Sequence, residues 1–177
     1  MYIDAFRGYD ERFTRGLLMK PQDPDIIIHL NRALKNELTA VNQYFLHAKM
    51  FLDWGLERIG EYEKKESIDE MRHADALIER ILFLDGLPNL QDLGKLMIGE
   101  GVKEMLECDL ALENAAMPDL RDSIVFAETS NDYVSRELFE SILESEEEHV
   151  DWIETQLELI DKTGIENYIQ SQISVPS

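Results

Sequence analysis

Glutamates at positions where a helical bundle should be apolar are the feature that most constrains this chain. Through four long stretches, apolar residues recur every three or four positions, the spacing of one buried helix face. The first seam reads Leu30, Leu34, Glu37, Val41, Tyr44, Ala48, Phe51, with Glu37 the exception. In the second, Glu70 and His73 lead into Leu77, Ile81 and Leu84. The third runs Leu106, Asp109, Glu113, Ala116, Leu120, Ile124, Ala127, and the fourth Ile142, Glu146, His149, Ile153, Gln156, Ile160. Each helix therefore turns at least one carboxylate towards the interior.

The element order follows from local signals. Asp23-Pro24 reads as a cap and first helical residue, opening a helix that runs to about Trp54. Gly55 interrupts, and a second helix spans about Leu56 to Leu84 before the breakers Asp85-Gly86-Leu87-Pro88-Asn89. Gly86 to Gly101 is too long for a tight turn and reads as a crossover along the bundle. The third helix covers roughly Glu100 to Thr129, with a kink or local break expected at Pro118. The fourth covers roughly Asn131 to Asp161, and after Thr163-Gly164 a short fifth helix runs from Ile165 to about Ser171. The fold class is all-α: a four-helix bundle (23–177) with a long crossover between its second and third helices, preceded by an external or flexible extension over 1–22.

An isolated carboxylate is unfavourable in a core by several kcal/mol, and the chain offers few inward cations to pair with these. The pattern is one Glu from each of two helices, Glu37 and Glu113, and Glu-x-x-His from each of the other two, Glu70/His73 and Glu146/His149. A spacing of three residues sets Glu and His on one helix face, within reach of a shared ion. Four carboxylates and two imidazoles are the donor set of a dinuclear iron or manganese site. A Glu three residues before a His arises readily by chance in so acidic a chain; the weight lies in each motif falling on its own helix's inward seam.

Around these positions the sequence resembles the bacterioferritins. The resemblance is carried by NELTAVNQYFLHAKMF around Glu37, ESIDEMRHAD around Glu70, RILFLDGLPNLQDLGKL in the crossover, DLALE ending at Glu113, and EEEHVDWIE around His149, and covers about Ile26 to Ile173. It implies a ferritin-like bundle in a hollow shell of two dozen subunits that stores ferric mineral, either a homo-oligomer or a mixed shell with another ferritin chain. It further implies a di-iron ferroxidase site with two Fe per subunit: Glu37 and His73 on one iron, Glu113 and His149 on the other, Glu70 and Glu146 bridging. Fe(II) is the substrate and O2 or H2O2 the oxidant. Tyr44, two turns after Glu37, suits an electron donor or a hydrogen-bond partner to the site, and position alone also allows a plain core tyrosine. Met71 lies about 100° around the helix from Glu70, and the resemblance makes it one of two axial ligands of a haem b shared across a two-fold axis. That haem implies a small ferredoxin-like reductant for iron release.

The chain departs from the family at Lys65, near where a histidine commonly joins an aspartate, here Asp69, at an inner-surface iron; an ammonium is a poor iron ligand. His29, His47 and Cys108 have no convergent ligand partners in the pattern and read as structural or solvent-facing, while Trp54 and Trp152 read as packing residues. With 37 acidic and 17 basic residues the formal charge is −20, which disfavours nucleic acid and anionic membrane and favours cations. The lone Cys108 allows no intrachain disulfide and fits a reducing cytoplasm. Competing readings are a di-iron oxygenase or peroxidase bundle without a shell, and a passive shell subunit serving chiefly as a haem carrier.

Overall fold

The computed structural model describes residues 20–173. Five helices follow in order: α1 (Ile26–Asp53), α2 (Glu57–Phe83), α3 (Val102–Thr129), α4 (Tyr133–Thr163) and the short α5 (Ile165–Gln172). Among the described residues there is no strand, and no helix is long and apolar enough to cross a membrane. Residues 1–19 of the expected extension lie outside the described residues.

Helices α1 and α2 pair along their lengths, as do α3 and α4, and α1 also packs on α3. Left-handed backbone at Gly55, Asp85, Asn131 and Gly164 marks the ends of the four long helices. Helix α1 starts at Ile26, two residues later than the expected Pro24, with Asp25 as its N-cap and no side-chain capping bond; Asp23 Oδ1 accepts the Asp25 N–H at 3.0 Å in the turn before it. At the other hairpin Asp132 caps α4 by accepting the Ser135 N–H at 3.1 Å, and Arg80 of α2 bonds the same carboxylate at 2.5 Å. No interruption appears at Pro118; α3 runs through it as one helix. The inward seam of α3 also differs from expectation. Met117 is buried where Ala116 was expected, and Ile124 is only half-buried while Ser123 is buried. Steps of three and four both fit a 3.6-residue period, so spacing alone does not choose between them.

The crossover, 85–101, is tied to α1 by a ladder whose rungs fall every fourth residue. Asn31 Oδ1 accepts the Asn89 N–H at 2.7 Å, and Lys35 pairs with Asp92 at 3.0 Å. Thr39 Oγ1 accepts from Gly94 N at 2.8 Å, Gln43 Oε1 from Met97 N at 2.8 Å, and His47 Nε2 from Gly99 N at 3.2 Å. Backbone N–H groups of a segment without secondary structure thus find partners on one helix stripe.

The apolar core is in two parts. One cluster includes Ile26, Leu30, Leu34, Leu77, Ile81, Leu120, Phe139 and Ile142; the other includes Phe51, Leu56, Ile59, Met105, Leu106, Ile153, Ile160 and Tyr168. The layer between them along the helices is polar. At the mouth of α3, a Cβ on Gly99 would lie 2.5 Å from the Met105 nitrogen and 2.7 Å from its Cα, backbone atoms that cannot swing aside. Gly99→Ala is therefore expected to push the first turn of α3 outward, break the bond to His47 and lower stability by about 1–3 kcal/mol. An unchanged thermal midpoint would contradict this account.

Candidate metal centre

The polar layer contains every ligand candidate. Glu37 comes from α1, Glu70 and His73 from α2, Glu113 from α3, Glu146 and His149 from α4; all are buried except His73, which is partly exposed. They form two groups, Glu37–Glu70–His73–Glu146 and Glu70–Glu113–Glu146–His149, in each of which one donor atom per residue lies within 4.8 Å of the others. Glu70 and Glu146 belong to both. The arrangement is thus two adjacent four-donor positions with two shared carboxylates.

The donor atoms are poorly served by the protein itself. Both oxygens of Glu146 and both ring nitrogens of His149 lack a hydrogen-bond partner, in a region where unpartnered polar atoms are rare. His73 is the cation of the site: its Nδ1 is 3.2 Å from Glu37 Oε2, 3.2 Å from Glu70 Oε2 and 3.5 Å from Glu146 Oε1. Burial works against its charge, but the carboxylates of Glu146, Glu37 and Glu70 outweigh burial and push its pKa up to about 12. Burial raises Glu37 to about 7, with the charge of Glu146 adding to it against the bond to His73. Glu70 and Glu146 are held far above the carboxylate range by burial first and by neighbouring carboxylates next. His149 Nδ1 lies 3.5 Å from Glu113 Oε1. Buried, unpartnered donors of mixed oxygen and nitrogen chemistry fit a pair of transition-metal cations.

Tyr44 is fully buried, donates to Glu113 Oε1, and sets its ring edge-on to His149 with centroids 5.1 Å apart. It therefore orients two ligand candidates from one position. Met71 does not join the layer; it points outward and is 50% exposed. Lys65 bridges Asp69 at 2.8 Å and Glu66 at 3.1 Å, and Arg72 also bonds Asp69, so the chain's own cations engage that aspartate.

The remaining residues separate clearly. His47 is fully buried and bonds Asp109 at 2.8 Å, so of its two expected roles it is the structural one. His29 stacks on Phe126 at 4.3 Å with its Nδ1 3.1 Å from Ser123 Oγ. Cys108 is half-buried. Trp152 stacks on Tyr62 at 3.6 Å, while Trp54 meets Phe51 edge-on and stays partly exposed. Missing from the sequence reading is Glu63, fully buried two turns before Glu70 on the same stripe of α2. Its heptad distance from Glu70 was the available signal.

A family model described as "Ferritin-like domain" matches residues 27–163. The chain is 48% identical over 154 residues to a bacterioferritin of Mycolicibacterium paratuberculosis, covering 87% of this chain and 97% of that one. Bacterioferritin BfrA of Mycobacterium tuberculosis has the same identity and coverage, and a bacterioferritin of Brucella melitensis is 49% identical over 148 residues, 84% of this chain and 92% of its own. The chain belongs to the bacterioferritin family. Membership extends from the first turn of α1 to the end of α4 and so includes the whole of the metal layer.

Raised carboxylate pKa values give the site a defined pH behaviour. A metal held by these residues would displace protons from Glu37, Glu70, Glu146 and His73, so its loading would strengthen as pH rises through about 7 and release protons. In the metal-free chain the folded pKa of these carboxylates exceeds the unfolded one. The stability they confer is complete below the ordinary carboxylate range and is lost as pH rises through the folded values. The thermal midpoint of the metal-free protein should therefore fall between about pH 5 and about pH 8, and that of the metal-loaded protein should fall less. Parallel curves would refute the assignment.

Proposed function

We propose that this chain is the subunit of an iron-storage protein whose bundle houses a di-iron ferroxidase site. The observation that carries the reading is the pair of adjacent four-donor groups sharing Glu70 and Glu146, buried between two apolar clusters. Glu37 and His73 would hold one iron, Glu113 and His149 the other, with Glu70 and Glu146 bridging. Bound there, Fe(II) gives up electrons to oxygen or peroxide and passes on as Fe(III) to a mineral store.

The protein's own part is positioning and exclusion. The apolar clusters on either side keep bulk water from the layer and strengthen its electrostatics. Tyr44 holds Glu113 in place through its hydroxyl, a position that also suits electron donation. His73 keeps the carboxylates from repelling one another until iron arrives, then gives up its proton to become a ligand. The net charge of −20 draws cations and repels nucleic acid.

Assembly and haem are proposed on the surface chemistry. Met71 at 50% and Ile68 at 47% exposure present apolar atoms on the outer face of α2, and Phe45 and Leu46 are exposed on α1. The crossover leaves Leu87, Leu90 and Leu93 exposed as well. These exposed apolar side chains are available for burial against further copies in a hollow shell of two dozen subunits. Met71 would supply a thioether to a haem b at the two-fold contact, with a ferredoxin-like protein as reductant. A cytoplasmic location fits the lone cysteine.

Glu70→Ala removes a ligand shared by both metal positions. Rapid Fe(II) oxidation, followed as ferric absorbance per subunit, should fall at least tenfold, the order of loss seen on disturbing metal-site partners, while sedimentation still shows a large shell. Wild-type oxidation kinetics in this variant would end the ferroxidase reading, and a small oligomer in the wild type would favour a shell-less di-iron oxygenase. Met71→Leu should abolish the haem absorbance of the purified protein and leave Fe(II) oxidation intact; haem retained at full intensity would exclude Met71 as its ligand.

A further inference from the structure

Below the di-metal layer lies a second buried acidic layer that the proposed function does not use. Glu63 of α2 is fully buried, and both of its carboxylate oxygens lack a hydrogen-bond partner among the described residues. The groups facing it from neighbouring elements are Asp109 and Glu113 of α3, Glu66 of its own helix and the Tyr168 phenol of α5. Burial and the three carboxylates all press against a charge on Glu63. A carboxylate so placed must be met by a cation or by a proton.

Among the described residues no cation bonds Glu63. His47, the imidazole of this layer, has both nitrogens committed: the Gly99 N–H donates to Nε2 at 3.2 Å, so Nε2 carries no proton, and Nδ1 donates to Asp109 at 2.8 Å. Both ring nitrogens are therefore taken. Gln43 is equally committed, its amide nitrogen to Asp109 at 2.8 Å and its oxygen to the Met97 N–H. Tyr168 bonds Gln156 at 3.1 Å. Lys65 is turned to solvent, bridging Glu66 and Asp69. Lys65 and the imidazoles of His47 and His149 thus serve Glu66 and Asp109, while the two buried oxygens of Glu63 are left without a partner.

We infer that the space between Glu63 and Asp109 is a further divalent-cation position, separate from the di-metal pair and one layer along the bundle. Its available donors are carboxylate oxygens only, because both nitrogens of His47 are taken, so it suits a hard cation of the Mn(II), Mg(II) or Fe(II) kind rather than one that seeks nitrogen or sulfur. Two turns of α2 separate it from Glu70, close enough to hold an ion that is entering or leaving the ferroxidase layer. The inference stands on Glu63 and its neighbours and does not depend on oxidation chemistry at the di-metal site.

The test is Mn(II) binding to the full-length assembled protein, counted by calorimetry and located by anomalous diffraction, in the wild type, Glu63→Gln and Glu70→Ala. The wild type should bind one Mn(II) per subunit beyond the di-metal pair, with an anomalous peak between Glu63 and Asp109. Glu63→Gln, near-isosteric and neutral, should lose that ion and keep the pair. Glu70→Ala should keep that ion and lose affinity at the pair, so failure of the di-metal reading and failure of this one are distinguishable. Should Glu63→Gln misfold, Asp109→Asn serves in its place. Equal stoichiometry in wild type and Glu63→Gln would overturn the inference. So would a neutral-carboxyl infrared band in the Mn(II)-saturated wild type that is absent from Glu63→Gln, since Glu63 would then be satisfied by a proton.

Discussion

Carboxylates buried at the centre of a helical bundle repel one another and lose their hydration, and the rest of this molecule is organised around that penalty. Glu37, Glu70, Glu113 and Glu146 converge from four helices with one imidazole, His73, lodged among three of them. Replacing such buried charges by apolar side chains of similar volume is often neutral or stabilising. Their retention leaves the side-chain polar atoms of Glu146 and His149 unpartnered in the core, an instability that a bound cation would relieve.

Two devices keep this layer in place. The apolar clusters at either end pack the helices against one another on both sides of the polar layer. The crossover is the second. Its backbone is bound by Asn31, Thr39, Gln43 and His47, its Asp92 side chain pairs with Lys35, and Gln43 and His47 reach through to Asp109. A segment without secondary structure thereby fixes α1 against α3, the helices that contribute Glu37 and Glu113. Register between those helices, and hence the separation of those carboxylates, depends in part on an irregular strap.

Much of the metal layer was legible because its residues violate a strong pattern. A glutamate on an apolar seam stands out, and Glu-x-x-His on two seams stands out further. Glu63 and Asp109 were harder to read. Asp109 sits on the expected seam, yet nothing local announces His47 and Gln43 as its partners, since those contacts join α1 to α3 over more than sixty residues. Glu63 is one acidic residue in a run of charged ones, and only the packing of α2 against its neighbouring helices reveals it as buried. The ladder on α1 has a regular spacing of four, but polar residues every fourth position on a helix ordinarily face water.

By itself, the sequence determined the number and order of the helices, the long crossover and the donor set of the central layer, because helix periodicity and breaker residues act over a few positions and a buried charge is costly wherever the fold puts it. Tertiary structure alone decided that Tyr44 bonds Glu113, that His47 is spent on Asp109 and Gly99, and that Glu63 is buried without a partner. These depend on how far each helix is rotated about its axis. That rotation is set by packing between elements distant in the chain, which local sequence pattern does not carry.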